Sequence, residues 1–210
     1  MLAAYADRTD PDDPLAGLVV GDRPEPASRE HWTTVDVRAA SLNHHDLWSL
    51  RGVGLPADRL PMILGTDAAG VAPAASGGVV LGVGRAGGRG GGAAGRRSLL
   101  SERYPGTLAE RVAVPTHNLV PKPPELTFVE AACVPTAWLT AYRMLFTAGG
   151  AAPGDRVLVQ GAGGGVATAA VALGAAAGLE PWVTSRSAAQ RAGAARRGAA
   201  ARGGPGGGRA

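Results

Sequence analysis

Cysteine is almost absent from this chain of 210 residues, since Cys133 is its only example. A single cysteine excludes an internal disulfide framework and any metal site built from several cysteines. No apolar run approaches the roughly 20 residues that cross a bilayer, and the first residues lack the basic region and apolar core of a signal peptide. Hydrophobic residues make up 45% of the chain, which is enough for a sizeable core. We therefore expect a soluble cytoplasmic protein with no membrane partner.

Lysine is nearly absent as well, because the chain has one lysine, Lys122, and twenty arginines. The net charge is +4, yet residues 72–97 and 192–210 hold eight arginines and no acidic residue. A basic surface for nucleic acid would have to lie in these two segments, and their arginines are not interleaved with aromatic residues. We therefore expect no nucleic-acid partner, and an Arg/Gly-rich nucleic-acid-binding protein is the weaker alternative.

Glycine, with 33 residues, is concentrated in the same two segments. Eight of the fourteen residues at 82–95 are glycine, and residues 192–210 contain only alanine, glycine, arginine and one proline. Such segments bury too little apolar surface to offset the entropy of ordering the backbone. The composition predicts a mobile, irregular insert at 72–97 and a mobile low-complexity tail at 192–210.

The remaining sequence predicts an α/β protein of two domains. Residues 1–125 predict a mainly β domain, because short β-branched segments alternate with glycine and proline. Residues 126–191 predict a βαβ unit that follows a linking helix. Before the linking helix, Thr127 and Glu130 predict the capped start of a short helix. The predicted strands are at 32–39, 61–65, 108–114, 118–120, 156–160 and 181–185, and the predicted helices are at 43–50, 136–147, 166–177 and from 188 onward.

A glycine-rich loop between the strand at 156–160 and the following helix is the most specific motif. Small residues in this context let backbone amides approach a pyrophosphate, and the helix N-terminus favours its negative charge. The strict dinucleotide fingerprint fails at Val166, although a frame shifted by one residue fits with alanine in the last place. An ordinary βα turn is the alternative. The predicted cofactor-binding residues of the loop are Gly161, Ala162, Gly163, Gly164, Gly165 and Val166.

Ordered along the chain, four passages resemble the medium-chain dehydrogenase/reductase superfamily, particularly its zinc-independent quinone oxidoreductase branch. They read AASLNHHDLW at 39–48, LGTDAAG at 64–70, TAY at 140–142 and VLVQGAGGGVA at 157–167. The resemblance implies a GroES-like β domain followed by an incomplete Rossmann domain, with NAD(P)H bound between them. It also allows a homo-oligomer, as in full-length members of the family.

The resemblance further implies hydride transfer to a quinone or to an activated alkene or carbonyl, without zinc. Zinc-dependent relatives carry a cysteine at the position of Asn43 and a His-Glu pair at the positions of Thr66 and Asp67. Asn43 would lie beside the nicotinamide and the substrate as the candidate catalytic residue, unless it only completes a turn. Thr140 would lie close to the cofactor, unless its hydroxyl bonds the carbonyl four residues earlier. For residues 44–46, a solvated or hydrogen-bonded arrangement is favoured over a metal site.

The residues about 20 places beyond the glycine loop favour NADPH over NADH. An acidic residue there would bind the adenosine ribose and repel a 2′-phosphate, but none follows Glu180 before the chain's end. Ser185 can donate to a phosphate, and Arg186 can pair with it. A solvated loop position for Arg186 is the alternative.

Compared with this family, the chain looks truncated and interrupted. Its sequence supplies about two strands of a Rossmann sheet that normally has six. The composition of residues 72–97 and 192–210 is also what a shifted reading frame produces in GC-rich DNA. Two hypotheses therefore stand together: an NADP-dependent oxidoreductase, and a non-catalytic remnant of such an enzyme.

Overall fold

In the computed structural model, residues 1–73, 78–81 and 99–203 are described, and they divide into two compact units. The first unit is Met1–Thr136 and the second begins at Ala137. Most of the predicted insert at 72–97 and the last seven residues of the predicted tail lie outside the described residues. None of the helices in the described ranges is long and apolar enough to cross a membrane.

The first unit is built on two antiparallel sheets. A three-stranded sheet has the order β2-β1-β4, formed by β1 (Leu2–Ala6), β2 (Leu18–Asp22) and β4 (Met62–Ile63). A five-stranded sheet has the order β7-β3-β5-β6-β8. Its strands are β3 (Trp32–Ser41), β5 (Asp67–Val71), β6 (Gly78–Leu81), β7 (Arg111–Pro115) and β8 (Leu119–Pro121).

Alternation in β3 places one side of the five-stranded sheet in the core. Val35 is fully buried, and the exposed Asp36 and Arg38 point away from it, as the period of two in a strand requires. Glycine at position 70 lets β3 and β5 approach closely, because a Cβ there would overlap the Asp36 carbonyl. The core cluster on this sheet comprises Val35, Ala68, Ala72, Val112 and Val114.

The first unit also contains two short helices. Helix α1 (His44–Leu50) follows β3, and helix α2 (Phe128–Ala132) packs Ala131 and Ala132 against Ala69 of β5. The predicted cap of α2 is confirmed, since the Thr127 hydroxyl accepts from the Glu130 amide at 3.2 Å. The Glu130 carboxylate accepts in return from the Thr127 amide at 2.9 Å.

The second unit contains a parallel sheet with helical connections. Helix α3 (Pro135–Tyr142) begins at the end of the first unit and continues as a π-helical segment at Arg143–Ala148. Strand β9 (Arg156–Gln160), helix α4 (Gly165–Ala176), strand β10 (Glu180–Thr184) and helix α5 (Ala188–Arg196) follow. The predicted α/β class is confirmed. The boundary between the units falls at 136, later than the predicted boundary at 125.

Residues 192–203 differ from the predicted mobile tail. Helix α5 continues to Arg196, and strand β11 (Ala201–Gly203) pairs in parallel with β10, giving the sheet order β11-β10-β9. Within the described part of the chain, the sheet therefore has three strands rather than the expected two or so. The physical reason is that alanine and glycine fit a closely packed layer: Ala194 is buried in the cluster of Val159, Val171 and Val183.

Candidate functional site

A network of polar side chains surrounds Asn43 in the first unit. Asn43 directly precedes α1, and its side-chain amide nitrogen donates to Asp67 Oδ2 at 3.0 Å and to Thr66 Oγ1 at 3.2 Å. A longer bond of 3.4 Å reaches Ser41 Oγ at the end of β3. The amide of the predicted catalytic residue is therefore fixed by neighbours from β3 and from the start of β5. We call Ser41, Asn43, Thr66, Asp67 and Thr136 the Asp67 cluster.

Asp67 is the centre of this cluster, because each other member bonds to it directly or through one neighbour. Only 1% of Asp67 is exposed. Its Oδ2 accepts from the Asn43 amide, the Ser41 hydroxyl at 3.1 Å and the Thr136 backbone amide at 3.2 Å. Its Oδ1 lies 2.5 Å from Thr136 Oγ1, which is itself 3.2 Å from Thr66 Oγ1.

Burial decides the titration of Asp67. Removal from water raises the pKa of the Asp67 carboxyl above its ordinary value, since the charged form loses hydration. The hydrogen bonds from Thr136, Asn43 and Ser41 oppose this shift by stabilising the carboxylate. The balance of the two effects leaves the pKa of Asp67 raised.

A second buried carboxyl, Asp46, fixes the backbone beside the cluster. Its Oδ2 accepts from the Asn43 backbone amide at 2.7 Å and its Oδ1 from the Gly65 amide at 3.0 Å. Burial raises the pKa of Asp46, and the two backbone bonds oppose that shift. Gly65 has φ +94°, and a Cβ there would overlap Thr107 and Leu108, so the turn requires glycine. Asp46 thereby joins the start of α1 to the segment that leads into β5.

The two positions where zinc-dependent relatives carry ligands are joined by a hydrogen bond in this chain. Asn43 and Thr66 bond to each other, Asn43 also bonds to Asp67, and neither residue type is a favoured zinc ligand. Within the described ranges, no group of three histidine, cysteine, aspartate or glutamate residues is placed to hold a metal ion. These contacts support the expectation of a zinc-free site, which stays a prediction.

The histidine pair at the start of α1 is engaged in protein contacts. His45 Nε2 lies 2.9 Å from Glu102 Oε1, and its Nδ1 lies 3.4 Å from Ser101 Oγ. His44 instead packs its ring edge against Trp48 at 5.5 Å. His45 and Asp46 are thus hydrogen-bonded within the protein, and the expectation that residues 44–46 hold no metal stays a prediction.

The glycine loop of the second unit begins with a sharp turn. Gly161 has φ +78°, which favours glycine, and its amide donates to the Thr184 carbonyl at 2.9 Å. The amide of Ala162 reaches the same carbonyl at 3.3 Å, and the Gly163 amide bonds to Gly161 at 2.8 Å. These three amides therefore shape the loop and tie β9 to β10 rather than point outward.

Backbone amides that could bind an anion lie at the end of the loop, where α4 begins. Gly164 is the N-cap of α4, and the first intrahelical bond runs from Thr168 to the Gly164 carbonyl at 2.9 Å. The amides of Gly165 and Val166 in the first turn have no intrahelical acceptor, as at every helix start. A Cβ on Gly164 would meet nothing within 4 Å, so the approach to this helix end is open. The residues present fit a pyrophosphate at this position.

The predicted ribose-binding residues lie beside this loop. Ser185 follows β10, and its hydroxyl donates to Gln190 Oε1 at 2.6 Å. The Gln190 side chain covers Gly163 so closely that a Cβ there would overlap it. Arg191 donates to the Ser185 carbonyl and so fixes the turn. Arg186 is exposed and forms no ion pair with the described residues.

Gln190 was not foreseen from the sequence. Its spacing from Ser187, the N-cap of α5, is that of a helix capping box, and this was the available signal. Thr140 of α3 is exposed, and its hydroxyl forms no bond to the carbonyl four residues earlier in this part of the structure. One helical turn before it, Ala137 lies next to Gly165, because a Cβ on Gly165 would be 3.2 Å from the Ala137 Cβ.

Known proteins with similar sequences or structures cover residues of both units. Residues 29–124 match the alcohol dehydrogenase GroES-like domain. A solved NAD-dependent alcohol dehydrogenase superposes with a TM-score of 0.85 at 34% identity, covering 96% of this chain and 63% of that one. The quinone oxidoreductase of Thermus thermophilus, solved also with NADPH, superposes with a TM-score of 0.75 at 31% identity over 96% of this chain and 59% of that one. The chain contains an alcohol dehydrogenase GroES-like domain, and these solved neighbours are an alcohol dehydrogenase and a quinone oxidoreductase.

Among the curated relatives of this chain is the synaptic vesicle membrane protein VAT-1 homolog of Mus musculus. The two are 39% identical over 148 residues, which is 70% of this chain and 34% of that protein. The compactin diketide synthase of Penicillium citrinum is 34% identical over 168 residues, which is 77% of this chain and 6% of the synthase. The chain thus spans at most about a third of these relatives and less than two thirds of the solved structures.

Proposed function

We propose that this chain carries the catalytic domain and part of the cofactor unit of an NADP-dependent oxidoreductase. It would transfer hydride to a quinone or to an activated alkene or carbonyl without zinc. The observation that carries the proposal is the Asp67 cluster, in which Asn43 and Thr66 occupy the ligand positions of zinc-dependent relatives. A neutral amide and a hydroxyl therefore stand at two positions that bind the metal in those relatives.

The bound dinucleotide would supply the hydride, and the chain's residues would align the reactants and exclude water. Asn43 would be the catalytic residue that contacts the nicotinamide and the substrate. Its amide nitrogen is already committed to Asp67, Thr66 and Ser41, so its orientation is set before any ligand arrives. Such preorganisation is what close alignment of two reactants requires.

Binding of the dinucleotide would use the second unit. The open N-terminus of α4 at Gly164 and Gly165 would receive the pyrophosphate. Ser185 and Arg186 would receive the adenosine 2′-phosphate and give the preference for NADPH. Glu180, the acid nearest in sequence, lies at the other end of β10 and pairs with Arg156 at 3.1 Å. Thr140 would lie close to the cofactor.

Two substitutions of Gly164 test the cofactor site. Gly164 has φ −83° and open space around it, so alanine and aspartate are both accommodated. Aspartate is a favoured N-cap residue and keeps or improves helix stability, but its charge repels a pyrophosphate. We expect saturable NADPH fluorescence and a thermal shift for the wild type and for Gly164→Ala, and neither for Gly164→Asp.

Quinone-dependent oxidation of NADPH by the same preparations tests the reaction. Turnover that disappears in Gly164→Asp and persists in Gly164→Ala supports the enzyme. Saturable binding without turnover of any quinone, enone or aldehyde supports the non-catalytic remnant. Equal binding by the wild type and Gly164→Asp would contradict the placement of the pyrophosphate.

A further inference from the structure

The two carboxyl oxygens of Asp67 have different hydrogen-bond partners. This difference indicates which oxygen carries the proton when Asp67 is protonated. Oδ2 accepts from the Ser41 hydroxyl and from two N–H groups, the Asn43 side-chain amide and the Thr136 backbone amide, which are unable to act as acceptors. A proton on Oδ2 would face these donors. Oδ1 has a single protein partner among the described residues, the Thr136 hydroxyl at 2.5 Å, which both donates and accepts. A protonated Asp67 therefore carries its proton on Oδ1 and donates to Thr136.

The Thr136 hydroxyl links this proton to the accessible side of the cluster. Thr136 is half-buried, whereas Asp67 and Thr66 are almost fully buried. When Thr136 accepts from Asp67, its own proton is free to point at Thr66 Oγ1, 3.2 Å away, or at a ligand. The pair Asp67–Thr136 is thus a two-member path from a buried carboxyl to the surface of the unit.

Reduction of an activated double bond consumes one proton for each hydride. We propose that the Asp67–Thr136 pair stores and delivers that proton, an inference that rests on the proposed function. The substrate gains a hydride with its electron pair from NADPH, and its π electron pair moves to the carbonyl or quinone oxygen. That oxygen takes the Thr136 hydroxyl proton while Thr136 takes the proton of Asp67 Oδ1. Asp67 is left as the carboxylate and regains a proton from solvent before the next cycle.

The surroundings of Asp67 suit this role because no charged side chain of the described residues pairs with it. The titratable and charged groups on the elements around it make other contacts or face away. Asp46 binds backbone amides and His45 pairs with Glu102. Exposed on their elements are Asp36 and Arg38 of β3, His44 of α1 and Glu130 of α2. Burial without a cation favours the protonated carboxyl, as a proton store requires.

Infrared spectroscopy of the whole chain, titrated with acid and base, tests the store without any cofactor. We expect the stretching band of a buried protonated carboxyl that titrates above the ordinary range of aspartate and is absent from Asp67→Asn. Ser41→Ala removes one donor to the charged form, so the titration of this band should shift upward by about one pH unit. Asp46→Asn is the matched control, and it should leave the band of Asp67 in place.

The relay itself is tested by turnover in ordinary and heavy water. Thr136→Val should lower the rate at least tenfold and abolish the solvent isotope effect, and Thr136→Ser should restore both. A wild-type spectrum without any carboxyl band that Asp67→Asn removes would overturn the proton store even if the enzyme is active, whereas a band that only Asp46→Asn removes belongs to Asp46. A correct band with no turnover contradicts the proposed function instead. Equal turnover and isotope effects in Thr136→Val and the wild type would overturn the relay.

Discussion

Two buried aspartates with different partners define the chemistry at the scale of single residues. Asp46 accepts from backbone amides, which are unable to change their donor role, so this carboxyl acts as an anchor. Asp67 accepts from side chains of Asn43, Ser41 and Thr136, two of which carry hydroxyls that can reverse direction. What distinguishes the anchor Asp46 from the proposed proton store Asp67 is therefore the chemistry of their neighbours, since both carboxyls are buried.

The raised pKa of Asp67 should make the free energy of unfolding depend on pH. A carboxyl whose folded-state pKa lies above its unfolded value stabilises the fold fully below the unfolded pKa and loses that contribution as pH rises through the folded pKa. Asp67→Asn keeps the shape without the charge. We expect the free energy of unfolding of Asp67→Asn, relative to the wild type, to increase between about pH 4 and pH 7. Urea unfolding at several pH values measures this, and a constant difference would contradict the raised pKa.

Cofactor preference should depend on Arg186. The guanidinium is exposed and has no ion-pair partner in the described residues, so it is available to a 2′-phosphate. Arg186→Ala should weaken NADPH binding by about 1–3 kcal/mol and leave NADH binding nearly unchanged. Titration calorimetry with both cofactors measures the difference, with Arg38→Ala of the exposed β3 surface as control. Equal losses for the two cofactors, or a wild-type preference for NADH, would show that Arg186 has another role.

Local capping signals explain which elements the sequence could predict. The Thr127–Glu130 pair and the glycine loop at 161–165 are local patterns, so the starts of α2 and α4 were foreseen to within a residue. Strands β1 and β2 were not foreseen, because a five-residue segment becomes a strand through its pairing partners. Strand β11 lies in a segment whose alanine, arginine and glycine composition favours no strand, and pairing with β10 overrides it.

The Asp67 cluster was only partly predictable for the same reason. Asn43 and Thr66 stood out because they replace metal ligands, and Thr136 carried no signal of its own. The donors to Asp67 come from positions 24, 26 and 69 residues away in sequence. Such a network depends on the register of β3 against β5, where Ser41 faces Asp67, and no pattern along the chain encodes that register.

The cap of α2 gives a prediction at the level of an element. Thr127→Ala removes the hydroxyl that accepts from the Glu130 amide, and we expect a loss of about 1 kcal/mol in the free energy of unfolding. Thr127→Ser keeps the acceptor and should stay within a few tenths of a kcal/mol of the wild type. Chemical denaturation of the three proteins makes the comparison. A loss as large in the serine variant would assign the effect to the methyl group rather than to the cap.

At the scale of the whole molecule, the chain combines an antiparallel unit with a parallel sheet of three strands. Strand β10 is central in that sheet, with β9 on one side and β11 on the other. The two flanking strands each keep one edge unpaired within the described residues. On one side, the central strand therefore pairs with a strand of three residues, at Trp182, Val183 and Thr184.

Removal of residues 201–210 tests the contribution of this pairing. The amides and carbonyls of β10 that face β11 would lose their partners, so we expect faster hydrogen exchange at 180–184. Exchange at 32–41 in the other unit should not change and serves as the internal control. Mass spectrometry of peptides from the full and shortened chains provides the measurement. Unchanged exchange at 180–184 would mean that β11 does not contribute to the stability of the sheet.

The shared hydrogen bonds of the Asp67 cluster also restrict how such a site can evolve. A change of Asn43 to cysteine would add one zinc ligand, but it would remove the side-chain N–H donor to Asp67 at a cost of about 1–3 kcal/mol. A change of Thr66 to histidine would remove the hydroxyl that Asn43 and Thr136 both contact. Each single step toward a metal site is therefore penalised until the others have been made. Zinc-dependent and zinc-free members would then be separated by several coupled substitutions, and a lineage that has crossed in one direction would rarely return.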